Sequence, residues 1–445
     1  MTLDNVADIY PLSPLQLGLL FHALASEDDG VYVVQYTCQL RGQLEPNHLR
    51  TAFESTVQRH PVLRTAVLWE GLDEPLQVVR TSVALPWDTA DWRGFTPEEQ
   101  EVFLADYLSE DRQRGFDLSH APLLRVALIT RDDTAFHLVL SVHHMVCDGW
   151  SLPILWEDVL KQYHALQGAQ PVELEPARPY RDYIAWLQHQ DLQAEEPFWR
   201  AELTGFTAPT PLPLARTDGP HGTLGTEGVH VTYAVSEERT TRLSALARRA
   251  QVTVNTVVQG AWAMLLSAHS GEDKVVHGSV LSGRQANIPG VERIVGPLIN
   301  TLPVLTTVPP EESLVPWLQA LQRRFLALND RHITPLSTIQ RCSAVPRGAP
   351  LFESIVVFEN YPQAPRLSVG FEQTDTRFNE QSHYPLALLV VPGDALELIL
   401  LATVQHYDQG RLSELLTQLE RLFEAFADAP DASLQTLRQT AIPSA

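Results

Sequence analysis

Cysteine is scarce in this chain of 445 residues, with Cys38, Cys147 and Cys342 alone present. Three scattered thiols cannot build a disulfide framework, and they point to a reducing compartment. No run of about 18 apolar residues occurs, so no transmembrane helix is read. The start, Met1-Thr2-Leu3-Asp4-Asn5, has no basic stretch leading into an apolar core, so no secretory leader is read there. A cytoplasmic location and no membrane partner are the expectations. Positive charge is also short: 32 Lys and Arg stand against 54 Asp and Glu, a net charge of −22. That balance argues against a nucleic-acid partner, and a solvated acidic surface explains it. No Cys or carboxylate cluster has metal-ligand spacing, and no low-complexity segment or short repeat interrupts the chain.

What is present is ordinary for a soluble globular protein, with 44% hydrophobic and 19% charged residues. The length is large for one core and predicts two lobes. Ser13 and Pro14 predict the start of a helix over Leu15–Ala25. Strands are predicted at Tyr32–Leu40 and Leu123–Thr130, with an amphipathic helix over Pro46–His60 between them. Residues Gly168 to Pro179 are polar and proline-rich and read as the lobe connection, dividing the chain into 1–175 and 176–445. The second half repeats the texture. Strands are predicted at His230–Val235, Val275–Leu281, Thr301–Val308, Ser354–Phe358, Leu386–Val391 and Leu396–Val404. Helices are predicted over Glu237–Ala250, Val254–Ser267 and Arg411–Ala427, the last with apolar Leu412, Leu415, Leu416, Leu419, Leu422 and Phe423 on one stripe. Mixed strands and helices in two similar halves make the chain α+β, or an α/β sandwich.

The most informative stretch is His143-His144-Met145-Val146-Cys147-Asp148-Gly149-Trp150, an HHxxxDG pattern followed by Ser151. A strand predicted over Phe136–Val142 leads into it, and an amphipathic helix over Pro153–Leu160 leads out. A single His at a strand end is commonly a hydrogen-bonded core residue. A His pair with Asp four residues after the second, then Gly-Trp-Ser, is far rarer by chance. A strand end holds an imidazole still while the next loop opens space beside it. Imidazole is also the side chain best matched to proton transfer near neutral pH. A metal held by His143, His144 and Asp148 is disfavoured, because adjacent strand residues point to opposite faces. Cys147 has no obvious base beside it and reads as packing. Gly149 permits a backbone conformation or close approach that a Cβ would block.

Other segments join this one in a fixed order: Tyr10-Pro11-Leu12-Ser13-Pro14-Leu15-Gln16 through Leu20-Phe21-His22, then Arg59-His60-Pro61-Val62-Leu63-Arg64-Thr65, then the His motif. Tyr180-Arg181-Asp182-Tyr183-Ile184-Ala185-Trp186 and Val295-Gly296-Pro297-Leu298-Ile299-Asn300-Thr301 complete the series. Any one is weak, and five in order are specific. The chain resembles the condensation domains of nonribosomal peptide synthetases over nearly its whole length. Leu20-Phe21-His22, Asp148-Gly149-Trp150-Ser151, Val357-Phe358-Glu359-Asn360-Tyr361-Pro362 and Ser382-His383-Tyr384-Pro385-Leu386 look like the class taking a D-configured donor and an L-configured acceptor. Pro297 departs from the pattern, where the family often has an aromatic or other bulky residue.

The resemblance implies a fold: two chloramphenicol-acetyltransferase-like lobes in a V-shaped pseudodimer with a central tunnel. It implies a reaction, amide formation between an upstream donor thioester and the amine of a downstream acceptor. It implies partners: two peptidyl carrier proteins, whose phosphopantetheine arms present the substrates, and a neighbouring adenylation domain. The chain itself carries neither an evident carrier serine motif nor a glycine-rich nucleotide loop. His144 is the expected proton carrier or amine-orienting group. Orientation can contribute about 7–11 kcal/mol, against about 10² to 10⁴-fold for general base catalysis, so positioning is expected to dominate. Asp148 is expected to be structural, paired with Arg64 or Arg284, because a buried acid needs a cation. His143 is expected as a hydrogen-bonded strand-end residue. Gly149 is a candidate for placing an N–H near the thioester oxygen. Trp150, Ser382 and His383 are candidates for lining the substrate path, weighed against plain packing. The resemblance also leaves an epimerisation domain or a catalytically idle recruiting platform as alternatives.

Overall fold

A computed structural model describes residues 5–25, 30, 32–168, 174–216, 228–361, 369–379 and 383–442. They form two compact units. The first takes the chain up to Gln190 together with Arg284–Ile299 and Tyr361–Gln381, and the second takes Asp191–Gly283, Asn300–Asn360 and Ser382–Ala445. The expected single division at 175/176 is therefore corrected. The helix Tyr180–Gln188 stays with the first unit, and two later segments return to it. Hydrogen bonding accounts for both returns. The strand Phe371–Asn379 pairs antiparallel with Val33–Gly42, and Arg284 and Leu298 bond to Asp148.

The first unit is built on a five-stranded sheet in the order Phe371–Asn379, Val33–Gly42, Ala135–His143, Leu124–Thr130 and Trp87–Asp91. Ala135–His143 is central, antiparallel to both neighbours and buried along its whole length. Such a strand is clamped by two ladders, so its C-terminal end is a fixed point. One face is covered by the helices Pro46–Arg59 and Ser151–Leu166, with Tyr36, Phe53 and Trp156 in ring contact. The helix Pro97–Gln113 covers the other, packing Leu104 on Ala127, Ile129 and Val139. Thr96 and Glu99 form its capping box, satisfying two otherwise orphaned N–H groups. A small antiparallel sheet of Val6–Pro11, Leu76–Arg80 and Thr65–Leu68 completes this unit.

The second unit has a six-stranded sheet in the order Asn300–Thr307, Lys274–Leu281, Ser354–Phe358, Leu386–Val391, Glu397–Thr403 and Gly228–Ala234. Ser354–Phe358 runs parallel to both neighbours and the other pairings are antiparallel. One cluster packs the helices Val254–Ser270 and Gln409–Asp428 through Trp262, Leu419 and Phe423 onto Leu388 and Leu400. The adjacent strand residues Ala387 and Leu389 join a different cluster with Trp199, Phe325 and Phe352. This period-2 alternation between two apolar layers explains why the strands read as nearly continuous hydrophobic runs. Both units are mixed sheets with helices, an α+β architecture. No helix among the described residues is long and apolar enough to cross a membrane.

Candidate functional site

The strand Ala135–His143 ends in the motif, and the helix Ser151–Leu166 begins right after it. Both extend beyond the predicted Phe136–Val142 and Pro153–Leu160. Asp148 begins the helix early, because its Oδ1 and its carbonyl both accept from the Ser151 N–H, at 2.9 and 3.0 Å.

The two histidines part company at the strand end. His143 is buried, and its Nδ1 accepts from the Met145 N–H at 3.0 Å. Accepting there places the ring proton of the neutral form on Nε2. Burial first, and then the neighbouring His144, lower its pKa to about 3, so the ring is neutral. Tyr32 and Phe116 meet it edge-on, each with centroids 6.3 Å away. His144 is half-buried, and its Nδ1 lies 3.2 Å from the Cys147 carbonyl. A carbonyl can only accept, so Nδ1 carries the proton and the lone pair of the neutral ring lies on Nε2. That is the tautomer a base needs.

Asp148 is held elsewhere. Arg284 binds it bidentately, Nη1 to Oδ2 at 2.8 Å and Nη2 to Oδ1 at 3.0 Å. The Ser151 hydroxyl donates to Oδ1 at 2.7 Å and the Leu298 N–H to Oδ2 at 3.1 Å. Both side chains of the pair are almost fully buried. Of the two arginines considered from sequence, Arg284 takes the role and Arg64 does not. Arg64 instead donates to the carbonyls of Gln58, Arg80 and Thr81, tying the helix Pro46–Arg59 to the small sheet. With His143 accepting from backbone and Asp148 committed to Arg284, the conceivable ligands His143, His144 and Asp148 do not converge. No group of three His, Cys, Asp or Glu among the described residues could hold a metal ion.

At Gly149 the close approach read from sequence is present, and its partner is Tyr361. An added Cβ would lie 2.3 Å from the Tyr361 ring. The same tyrosine meets Trp150 edge-on at 6.0 Å, and the Arg284 guanidinium lies 5.4 Å from the Trp150 ring. Trp150 is thus packed between a cation and an aromatic edge. Cys147 is buried, and burial followed by Asp148 pushes its thiol well above the ordinary value, so it is inert packing. Ser382 lies outside the described residues. His383 belongs to the second unit, just before the strand Leu386–Val391, with its ring 3.8 Å from that of Tyr384.

Three further groups build the site and were quoted from sequence without these roles. The Ser151 Oγ accepts from the Gly296 N–H at 3.0 Å and lies 3.2 Å from the Gly296 carbonyl. Tyr180 donates to the Pro297 carbonyl at 3.1 Å. Gly296 adopts φ +148°, and an added Cβ there would meet the Tyr180 ring at 2.3 Å. So the third, fourth and fifth motifs of the series are one interlocked cluster. Pro297 sits in the connecting turn, before the strand that begins at Asn300, so its missing N–H removes no ladder bond.

Comparison with known proteins agrees with this reading of the motifs. The family model for the condensation domain matches residues 6–441. A linear gramicidin synthase of Brevibacillus parabrevis is 40% identical over 441 residues, covering 98% of this chain and 6% of its own length. The chain thus spans a small part of that synthase. Among solved structures, the starter condensation domain of rhizomide synthetase superposes with TM-score 0.82 at 19% identity, covering 96% of this chain and 97% of that one. The first condensation domain of the calcium-dependent antibiotic synthetase gives TM-score 0.80 at 18% identity, with 97% and 99% covered.

Proposed function

The chain belongs to the condensation domains of nonribosomal peptide synthetases, and from that membership we propose that it joins a carrier-bound donor to a carrier-bound acceptor through a peptide bond. The donor is an aminoacyl or peptidyl thioester on an upstream carrier. The acceptor is the free amine of an aminoacyl thioester on a downstream carrier. Both arrive on phosphopantetheine arms, and an adenylation domain neighbours the chain. The amine nitrogen forms its bond to the thioester carbon, and the carbon–sulfur bond breaks. One proton leaves the nitrogen, and the departing donor thiolate takes one up.

His144 is the residue that handles or orients that proton. The observation that carries this is the Nδ1–H fixed on the Cys147 carbonyl, which puts the lone pair of the neutral ring on Nε2 just past the end of a doubly clamped strand. An α-amino group with pKa near 7.7–8 is already about a tenth neutral at pH 7. His144 therefore has more to contribute by orientation than by deprotonation. Asp148 and Arg284 are structural, and Gly149 serves Tyr361 packing ahead of any oxyanion contact. Trp150 and Tyr361 support the D-donor subtype, since two of the segments resembling that class meet at this ring pair.

The test is reconstitution with two loaded carrier proteins, D- and L-configured donors, and mass spectrometry of the product. A D-configured donor residue is expected to condense about 10²-fold faster than its L epimer, the cost of roughly 1 Å of misalignment. Equal rates reject the subtype and leave condensation standing. An epimerised donor with no condensed product points instead to an epimerisation domain. His144→Ala is expected to lower the single-turnover rate by about 10² or more at an unchanged melting temperature. An undiminished rate removes His144 from the reaction.

A further inference from the structure

The first motif of the series, which contains Gln16, lies in the first unit and has no role in the proposed chemistry. Gln16 and Gln77 are both fully buried. Their amides pair reciprocally, Gln16 Nε2 to Gln77 Oε1 at 3.1 Å and Gln77 Nε2 to Gln16 Oε1 at 2.9 Å. Gln77 also donates to the Pro11 carbonyl at 2.9 Å, which anchors the pair in the small sheet. Gln16 Oε1 accepts from the Ser13 N–H at 2.8 Å, and the Gln16 N–H donates to Ser13 Oγ at 3.2 Å. That is a capping box for the helix Pro14–Ala25, and a glutamate would serve it equally well.

The remaining bond explains the amide. Gln16 Nε2 donates to the Met145 carbonyl at 2.8 Å. The same peptide unit donates its Val146 N–H to the His143 carbonyl at 3.1 Å. Both ends of that peptide are therefore fixed. It lies between His144 and Cys147, whose carbonyl orients the His144 ring. A rotation of the peptide moves that carbonyl and the imidazole together. We propose that Gln16, braced by Gln77, is a positioning residue for His144, acting through the Met145 carbonyl. This rests on the reading that His144 serves condensation.

The glutamine's two roles separate by substitution. Gln16→Glu keeps the capping acceptor, but its carboxylate cannot donate to the Met145 carbonyl. Gln16→Met keeps the shape and removes both functions. Single-turnover rates are measured with loaded donor and acceptor carriers, in wild-type and His144→Ala backgrounds, alongside the ¹³Cε1 resonance of His144. Both variants are expected to slow the wild-type reaction by about 10-fold or more, since small misplacements are that costly. Half-saturation by the acceptor carrier is expected to stay put. The His144 resonance is expected to shift, and neither variant slows His144→Ala further. Gln77→Met keeps the cap and the Met145 bond but loses the brace, and is expected to show a smaller loss of the same non-additive kind. A wild-type rate in Gln16→Glu, or in Gln77→Met where the Gln16 variants do not fold, overturns the proposal. So does a loss that multiplies with that of His144→Ala. If His144→Ala itself is undiminished, the role of His144 in condensation has failed. An unmoved His144 resonance in the Gln16 or Gln77 variant is what then overturns the positioning.

Discussion

Asp148→Asn replaces a carboxylate by an amide of nearly the same shape, and the structure fixes the consequence. Donors surround both oxygens: the Ser151 N–H and O–H and an Arg284 N–H on Oδ1, the other Arg284 N–H and the Leu298 N–H on Oδ2. Whichever way the new amide turns, its NH₂ faces donors. The Arg284 cation also stays buried with its counter-charge gone. Removing one partner of a buried ion pair costs about 3–5 kcal/mol. At about 2–4 °C per kcal/mol for a unit of this size, the melting temperature is expected to fall by roughly 6–20 °C. Arg284→Met alone leaves a buried carboxylate that keeps its Ser151 and Leu298 donors, and is expected to cost less. Asp148→Leu with Arg284→Met removes both charges and is expected to recover much of the loss, because a buried pair often contributes little over apolar packing. Thermal unfolding followed by circular dichroism near neutral pH, with single-turnover condensation beside it, reads all of these. An Asp148→Asn protein that is inactive yet melts within about 2 °C of wild type would refute the structural assignment and put the carboxylate in the reaction.

Gly149→Ala drives a Cβ into the Tyr361 ring and is expected to cost about 1–3 kcal/mol, as overpacking does. The cost should vanish in a Tyr361→Ala background, read by the same melts. Stability is expected to rise with pH between about 4 and 6.5. The unfolded chain protonates His137 and His143 in that window while burial keeps them neutral when folded, with values lowered to about 4 and about 3. His137→Phe is expected to flatten the difference in melting temperature between pH of about 5 and about 7. An unchanged slope would remove His137 from the linkage.

The elements legible in sequence were those whose pattern is decided locally. Helices with a cap and an apolar stripe, such as Gln409–Asp428, and continuous apolar strands, such as Leu386–Val391, appear within a residue or two of where their periodicity predicts them. Phe371–Asn379 was missed because it is polar, largely exposed and bulged, with Asp375 at φ +50° and a register shift between Thr374 and Arg377. It is a strand because Val33–Gly42 offers an open edge, a tertiary cause with no local signature. Pro97–Gln113 was missed because its apolar stripe is thin, although Thr96 and Glu99 announce its start. The division of the chain failed for a related reason. Composition marks a polar, proline-rich stretch, but unit membership follows from which later segments return to bond Asp148 and the edge strand.

The site divides along the same line. Sequence spacing identified His143, His144 and Asp148, and strand alternation already argued against two adjacent histidines holding one metal ion. The structure turns that geometric statement into an electrostatic one. The inward ring, His143, is neutral and spends its acceptor on the Met145 N–H, so it sets the shape of the turn. The outward ring, His144, has its donor fixed by that same turn. Asp148, the remaining charged member of HHxxxDG, is neutralised by an arginine far along the chain, and bonds to Ser151 and Leu298 absorb what remains of its hydrogen-bonding capacity. On the proposed reading the motif is one functional imidazole, His144, and a frame that holds its ring, and each framing residue is expected to betray itself first in stability or ring position, and only through those in rate.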